Sequence, residues 1–178
     1  DSKAIVLDSK GKVVNFTMND KCAAGTGRFL EVMARALGVE LEDLGPLSLQ
    51  SRNPATVSSM CTVFAESEII SLASKNVSKV DIIAGLHESI GRRIVGMAKS
   101  VGIRPLVMMS GGVAKNQGIV QALNRMLGTE MVIAPEPQIV GALGAALFAL
   151  EEVQSAPAKS TVEAAPRHVG AESTLATR

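Results

Sequence analysis

The pattern of apolar and polar positions changes from the period of a strand to the period of a helix near the start of the chain. Residues 2–7 and 12–18 are rich in β-forming side chains, and the segment between them has the composition of a turn. We therefore predict a β-hairpin. A helix over residues 27–37 should follow it, because apolar side chains recur there at helical spacing, at Phe29, Leu30, Met33 and Leu37.

The remainder of the pattern predicts helices with short strands between them. A capping box from Ser78 to Asp81 should begin a long amphipathic helix that ends at Gly102. Residues 106–109 are all apolar, which is typical of a strand buried on both faces. Residues 45–54 have the composition of a loop. The other predicted elements are helices over residues 66–73, 117–127 and 139–152 and a strand over residues 130–134.

This order of elements indicates an α/β domain with a mixed β-sheet flanked by helices. Ligands of such folds bind at the carboxyl ends of strands. We assign residues 1–152 to the domain. From residue 153 the composition shifts to Ala, Ser, Thr, Pro and charged residues, and we predict that residues 153–178 form a disordered tail.

Composition excludes several functional classes. The 178 residues carry a net charge of +1, so no basic surface indicates nucleic-acid binding. No apolar run reaches transmembrane length and no signal peptide opens the chain, which makes a cytoplasmic protein the default expectation. The chain begins without Met and within a strand pattern, so we expect it to be a piece of a longer protein.

Two glycine-containing turns precede predicted helices. Gly25-Thr26-Gly27 fits either a phosphate-binding turn or an ordinary tight turn from strand to helix. Ser110-Gly111-Gly112 follows an apolar strand, which is where nucleotides bind in open sheets, although a structural turn has the same composition. The residues alone leave both alternatives open.

The sequence contains two cysteines, Cys22 and Cys61, each near the predicted start of a helix. Two thiolates of one chain cannot complete a four-coordinate metal or cluster site. The cysteines are therefore either buried structural residues or half of a Cys₄ set for a [4Fe–4S] cluster shared across a symmetric dimer.

Four motifs resemble one known family, the 2-hydroxyacyl-CoA dehydratase activators, together with the ATPase subunits of benzoyl-CoA reductase (the BadF/BadG/BcrA/BcrD-type ATPases). Residues 19–31 (NDKCAAGTGRFLE) resemble its first cysteine motif and residues 61–68 (CTVFAESE) its second. Residues 110–116 (SGGVAKN) resemble the adenosine motif of the actin/sugar kinase/Hsp70 superfamily. Residues 137–146 (PQIVGALGAA) resemble the closing helix motif, so that the resemblance extends over about residues 1–152.

The resemblance implies a ribonuclease H-like, actin-like ATPase lobe that corresponds to the C-terminal of the family's two lobes. It implies a homodimer with one [4Fe–4S] cluster, held by Cys22 and Cys61 of both subunits. Reduced ferredoxin or flavodoxin would supply an electron, and ATP hydrolysis would accompany its transfer to a 2-hydroxyacyl-CoA dehydratase or an aryl-CoA reductase. For ATP or ADP with Mg²⁺, the matching positions are Asp1, Ser110, Gly111, Gly112 and Gln138.

The first lobe of the family, with its phosphate loop, has no counterpart in this sequence, and of the second phosphate motif only Asp1 remains. The lobe alone is therefore not expected to hydrolyse ATP. Two alternatives stay open. One is a nucleotide-binding lobe of the small-molecule kinase type with structural cysteines, and the other is a non-catalytic lobe that carries the cluster and dimerises.

Overall fold

The computed structural model describes residues 1–19, 23, 25–59 and 61–155, and it confirms the α/β class. The chain divides into two compact units, Asp1–Gly141 and Ala142–Arg178. The described elements are, in order, β1 (Ser2–Leu7), β2 (Val13–Asn19), α1 (Gly27–Leu37), α2 (Leu44–Ser48), α3 (Thr62–Ser74), α4 (Lys79–Val101), β3 (Met108–Met109), a 3₁₀ turn (Gly112–Lys115), α5 (Gln117–Leu127), β4 (Val132–Ile133) and α6 (Val140–Ser155).

The predicted hairpin is confirmed. Strands β1 and β2 pair antiparallel, with Ile5 opposite Phe16, and the Asp8 carboxylate closes the turn by accepting N–H bonds from Lys10 and Lys12 at 2.8 and 2.9 Å. The hairpin packs against α4 and buries Val6. Its opposite face exposes apolar side chains, which are Ile5, Leu7, Phe16 and Met18.

The second pair of strands is shorter than predicted. Strands β3 and β4 are parallel and two residues long each. Leu106 has a φ of 66° and is 83% exposed, so the prediction of a strand over residues 106–109 buried on both faces is wrong. A left-handed backbone conformation cannot continue a strand. In the part of the chain that the structure describes, the strands form two separate pairs, one antiparallel and one parallel.

Helices α1 and α5 begin and end where the sequence predicts. The Thr26 hydroxyl accepts the Phe29 N–H at the start of α1, and Gly38 ends that helix with a φ of 62°. Asn116 and Gly128 do the same for α5. These termini were predictable because capping and left-handed glycine are local properties of the sequence.

Three local predictions fail where long-range packing decides. Residues 44–48 form helix α2 instead of a loop, since Pro46 lies in its first turn, where proline is tolerated, and Leu44 is buried. Helix α3 begins at Thr62, ahead of the predicted residue 66.

The capping box at the start of α4 is absent. Ser78 makes no side-chain cap bond, and the Asp81 carboxylate instead accepts the Ser51 hydroxyl at 2.5 Å.

Helix α4 is the centre of the first unit. It packs against both hairpin strands and against α2, α3 and α5. The segment around Ala55 crosses α4 very closely. A Cβ on Gly85 would lie 2.0 Å from the Ala55 carbonyl oxygen. The Ala55 N–H in turn donates to the Asp81 carbonyl at 2.9 Å. Only glycine fits at position 85, because the backbone at Ala55 occupies the space that a side chain would need.

Glu68, in the second turn of α3, holds the loop that leads into the same helix. Its carboxylate accepts the backbone N–H groups of Ser58 and Ser59 at 3.0 and 2.8 Å, and the Ser58 hydroxyl at 2.9 Å. Burial raises the pKa of Glu68, but these hydrogen bonds outweigh burial and lower the pKa to about 2. The loop is thus fixed two residues before Cys61.

Helix α6 crosses the boundary between the units and buries none of its residues. Its large exposed side chains are Leu143, Leu147, Phe148, Leu150 and Val153. It ends at Ser155, beyond the predicted boundary at residue 152. Residues 156–178 lie outside the described residues, so the predicted disordered tail stays a prediction. No described helix is both long and apolar enough to cross a membrane.

We predict that Gly85→Ala destabilises the protein by at least about 3 kcal/mol, because the new methyl group meets backbone that cannot rotate away. Gly96→Ala is the matched control in the same helix. Position 96 is exposed, nothing lies within 4 Å of its Cβ, and alanine there should stabilise by about 0.5–1 kcal/mol. Urea denaturation measures both variants. Equal stabilities would contradict the close contact with Ala55.

We predict that Glu68→Gln lowers stability by about 1 kcal/mol at pH 7, since charge-assisted hydrogen bonds at a largely exposed carboxylate become neutral ones. The folded pKa of about 2 lies below the ordinary glutamate pKa of 4.5, so this stabilisation is complete above pH 4.5 and is lost as the pH falls towards 2. The stability difference from wild type should therefore shrink as the pH falls from 4.5 towards 2. Glu66→Gln, on the same helix, controls for the loss of one charge, and a difference that is independent of pH would argue against the clamp.

Candidate functional site

The Ser110-Gly111-Gly112 loop begins directly after β3, at the carboxyl end of that strand. Gly111 has a φ of 92°, and its N–H donates to the Pro137 carbonyl at 2.7 Å. The chain then makes the 3₁₀ turn over Gly112–Lys115 and enters α5 at Asn116, whose side-chain oxygen accepts the Ile119 N–H at 3.1 Å. Both ends of the loop are therefore fixed, and its glycines leave the backbone open to a ligand.

Gln138 lies beside this loop. A Cβ on Gly112 would be 3.3 Å from the Gln138 side-chain nitrogen, so the two residues are neighbours and a larger residue at position 112 would require the Gln138 side chain to shift slightly. The structure thus brings together Gly111, Gly112 and Gln138, three of the predicted nucleotide-binding residues. Ser110, the fourth, is exposed at the start of the loop.

Asp1 precedes β1 and is exposed, and its carboxylate forms an ion pair with Lys3. The next residue joins the hairpin to the first cysteine motif, because the Ser2 hydroxyl donates to the Gly25 carbonyl at 3.2 Å. Asp1, predicted to contact the nucleotide, is therefore followed by a residue that binds the turn that begins α1, while its own carboxylate pairs with Lys3.

The Gly25-Thr26-Gly27 turn adjoins the loop of residues 110–116, which we call the glycine loop. The Thr26 hydroxyl donates to the Ala23 carbonyl at 2.6 Å, and Gly25 has a φ of 80°. A Cβ on Gly27 would lie 3.8 Å from a methyl group of Val113, within the 3₁₀ turn. The first cysteine motif and the adenosine motif, which are far apart in sequence, are therefore in contact.

Cys61 is a free, exposed thiol at the N-terminus of α3. Its carbonyl accepts the Ala65 N–H at 2.8 Å, while its side chain makes no cap bond, so the sulfur is not used to close the helix. The prediction that leaves both cysteines as buried structural residues is wrong for Cys61. Cys22 lies outside the described residues, as do Asp20, Lys21 and Ala24, and its placement stays a prediction.

Cys61 lies at the N-terminus of α3, directly before Thr62. The N-terminus of a helix stabilises negative charge on sulfur. The hydroxyl of Thr62 is buried and has no hydrogen-bond partner within the described ranges. Among the described residues, no group of three or more His, Cys, Asp or Glu side chains is arranged to hold a metal ion.

Sequence reasoning missed some residues that shape the site. Glu68 has no local sequence signal, because its bonds to Ser58 and Ser59 depend on how the loop folds back. Asn116 does have one, since an Asn immediately before an apolar helical pattern is a signal for a helix cap. His87, in the middle of α4, is buried.

Comparison with known proteins agrees with the motifs. The model of the BadF/BadG/BcrA/BcrD ATPase family matches residues 1–149. The 2-hydroxyisocaproyl-CoA dehydratase activator of Clostridioides difficile is 50% identical over 154 residues, which cover 86% of this chain and 58% of that protein. The activator of lactoyl-CoA dehydratase of Anaerotignum propionicum is 54% identical over 154 residues, covering 86% of this chain and 60% of that protein.

A solved structure is similar over the same region. The activator of the 2-hydroxyisocaproyl-CoA dehydratase from Clostridium difficile, with bound ADPNP, superposes with a TM-score of 0.81 at 50% identity and covers 85% of this chain and 57% of that chain. This chain therefore spans less than two thirds of the length of these relatives. Because the family model matches nearly all of the residues before the tail, and the relatives share about half of their aligned residues, this chain belongs to the BadF/BadG/BcrA/BcrD ATPase family.

Proposed function

We propose that this chain is the cluster-binding and nucleotide-binding lobe of an ATP-dependent activator, which passes a low-potential electron to a 2-hydroxyacyl-CoA dehydratase or an aryl-CoA reductase. One observation carries the proposal: in a chain of this family, Cys61 is a free and exposed thiol at the start of a helix. A cysteine with only a packing role would be buried.

Cys22 and Cys61 of two subunits would together supply the four thiolates of one [4Fe–4S] cluster, since each chain contains two cysteines. When bound, the cluster would supply a one-electron redox centre between reduced ferredoxin or flavodoxin and the partner enzyme. The peptide N–H groups at the start of α3 favour the more negatively charged, reduced state, and the free hydroxyl of Thr62 can donate to a cluster sulfur or to a thiolate.

The surface around Cys61 supports a homodimer. Val63 and Phe64 follow the cysteine in the first turn of α3, and they are 66% and 68% exposed. Exposed apolar side chains next to a candidate ligand are expected where a second subunit covers the site. A two-fold axis near Cys61 would bury these side chains and bring the second pair of thiolates to the same place.

Gly111, Gly112 and Gln138 would hold the adenosine part of ATP or ADP, with Ser110 at the edge of the loop. The glycine backbone permits close approach of the base or ribose, and the Gln138 amide can donate and accept hydrogen bonds. Asp1 would face Mg²⁺ or phosphate after release from Lys3. Hydrolysis of ATP to ADP and phosphate would require residues beyond this lobe. We propose that ATP hydrolysis and the electron transfer take place in the cytoplasm.

We predict that Cys61→Ser abolishes incorporation of the cluster, because a neutral hydroxyl is a poor ligand for iron. Anaerobic purification of the protein from its complete coding sequence, followed by iron, sulfide and visible absorbance measurements, tests this. Ser67→Ala, at an exposed serine of the same helix, should retain the full iron content. A variant of Cys61 that keeps all iron would refute the proposal, and a wild-type protein without iron that binds ATP would favour the kinase-like alternative.

We predict that Gly112→Ala weakens ADP binding roughly tenfold, because the added methyl group narrows the close approach to the backbone and shifts the Gln138 side-chain amide. Isothermal titration with Mg²⁺-ADP measures the dissociation constant. Gly96→Ala, far along α4 in exposed helix, is the control and should bind ADP as the wild type does. Unchanged affinity in Gly112→Ala would place the nucleotide elsewhere.

A further inference from the structure

His87 has a buried imidazole ring that the proposed function does not use. His87 lies in the middle of α4 and is 2% exposed, on the face that otherwise contributes apolar side chains to the core. A polar ring in such a place is costly unless it makes a hydrogen bond. The ring nitrogen Nε2 lies 3.3 Å from the side-chain nitrogen of Asn116, the last residue of the glycine loop.

The partners of Asn116 fix the direction of this bond. Its side-chain oxygen already accepts the Ile119 N–H at 3.1 Å, so its amino group faces His87. An amide NH₂ can only donate, and therefore Nε2 accepts and the ring proton resides on Nδ1, which is buried and has no hydrogen-bond partner among the described residues. Burial lowers the pKa of His87 to about 4, so the ring is neutral at pH 7 and keeps the lone pair that this bond requires.

Two glycines beside His87 and Asn116 leave no room for a side chain. A Cβ on Gly118 would lie 2.7 Å from His87 Nδ1 and 2.0 Å from the Ser48 hydroxyl, which itself donates to the Gly45 carbonyl at 2.7 Å. A Cβ on Gly45 would lie 3.1 Å from the Asn116 side-chain oxygen. Helices α2, α4 and α5 therefore meet at Asn116.

We propose that His87 is a positioning residue for the glycine loop: by accepting a hydrogen bond from Asn116, it fixes the end of the Ser110–Asn116 loop that enters α5. The proposal rests on the assignment of this loop to the nucleotide. The bond from Gly111 to Pro137 holds the other end of the loop, and Asn116 caps α5; His87 ties that cap to α4. An apolar side chain of similar volume would fill the space but would leave the Asn116 amide without its acceptor.

Substitutions that separate the hydrogen bond from the packing provide the test. His87→Leu removes the acceptor and keeps most of the volume, whereas His87→Gln places an amide oxygen at about the distance of Nε2 and can restore the bond. Asn116→Ser retains a helix-capping oxygen but is too short to reach His87. Ile90→Val, at a buried position of the same helix, controls for a general loss of core packing.

The first readout is hydrogen–deuterium exchange of the protein without nucleotide. We expect His87→Leu and Asn116→Ser to accelerate exchange of the backbone amides of residues 111–119 roughly tenfold relative to those of α1, the double variant to be no faster than either, and His87→Gln to resemble wild type. Unchanged exchange in the loop, or acceleration spread evenly over the first unit as in Ile90→Val, would overturn the proposal.

The second readout is the dissociation constant for Mg²⁺-ADP. We expect it to rise roughly tenfold in His87→Leu and to stay within about threefold of wild type in His87→Gln. A loop that loosens while ADP affinity is unchanged would overturn the positioning role. If wild-type protein binds no ADP, the nucleotide assignment fails, and the exchange experiment still decides whether His87 anchors the loop.

Discussion

The fold depends on the burial of α4, a helix of 23 residues that contacts both hairpin strands and three other helices. Where its neighbours approach most closely, α4 has glycines, which leave room for them beside its backbone. Gly85 admits the Ala55 carbonyl and Gly91 admits the Met126 side chain, where any Cβ would be 2.9 Å or less from the neighbour. Apolar burial supplies most of the stabilising free energy, but these glycines determine which neighbour fits where.

The candidate site lies at the ends of elements that pack on this core. The glycine loop follows β3, the Gly25-Thr26-Gly27 turn begins α1, and Cys61 begins α3. Apolar burial alone does not fix the conformation of such segments. Their backbone N–H and C=O groups also need hydrogen-bond partners, and those partners define where each segment lies. Single polar contacts position them instead: Ser2 reaches Gly25, and Glu68 holds the loop before Cys61. The contact between Gly27 and Val113 then places the first cysteine motif against the glycine loop.

The sequence predicts those parts of the fold that local chemistry decides. The termini of α1 and α5 are confirmed because capping residues and left-handed glycines act within one turn of helix. Helix α2 and the short strand β3 were not predicted correctly, because long-range packing selects the first and the backbone conformation of Leu106 shortens the second. For the candidate site, the motifs gave residue types, and the structure adds that Gly112 and Gln138 are neighbours and that Cys61 is exposed.

The residues that sequence patterns do not reveal share one property, which is that their role lies in a contact between distant segments. Asp81 resembled a capping residue, yet it binds Ser51, 30 residues away. His87 lies among apolar core residues, and its neutral ring accepts a bond from Asn116, 29 residues away. A buried polar group requires a partner whose identity is not encoded nearby. In this family, then, motifs identify the groups that contact ligands, whereas the groups that hold those motifs in place must be found from the packing around α4.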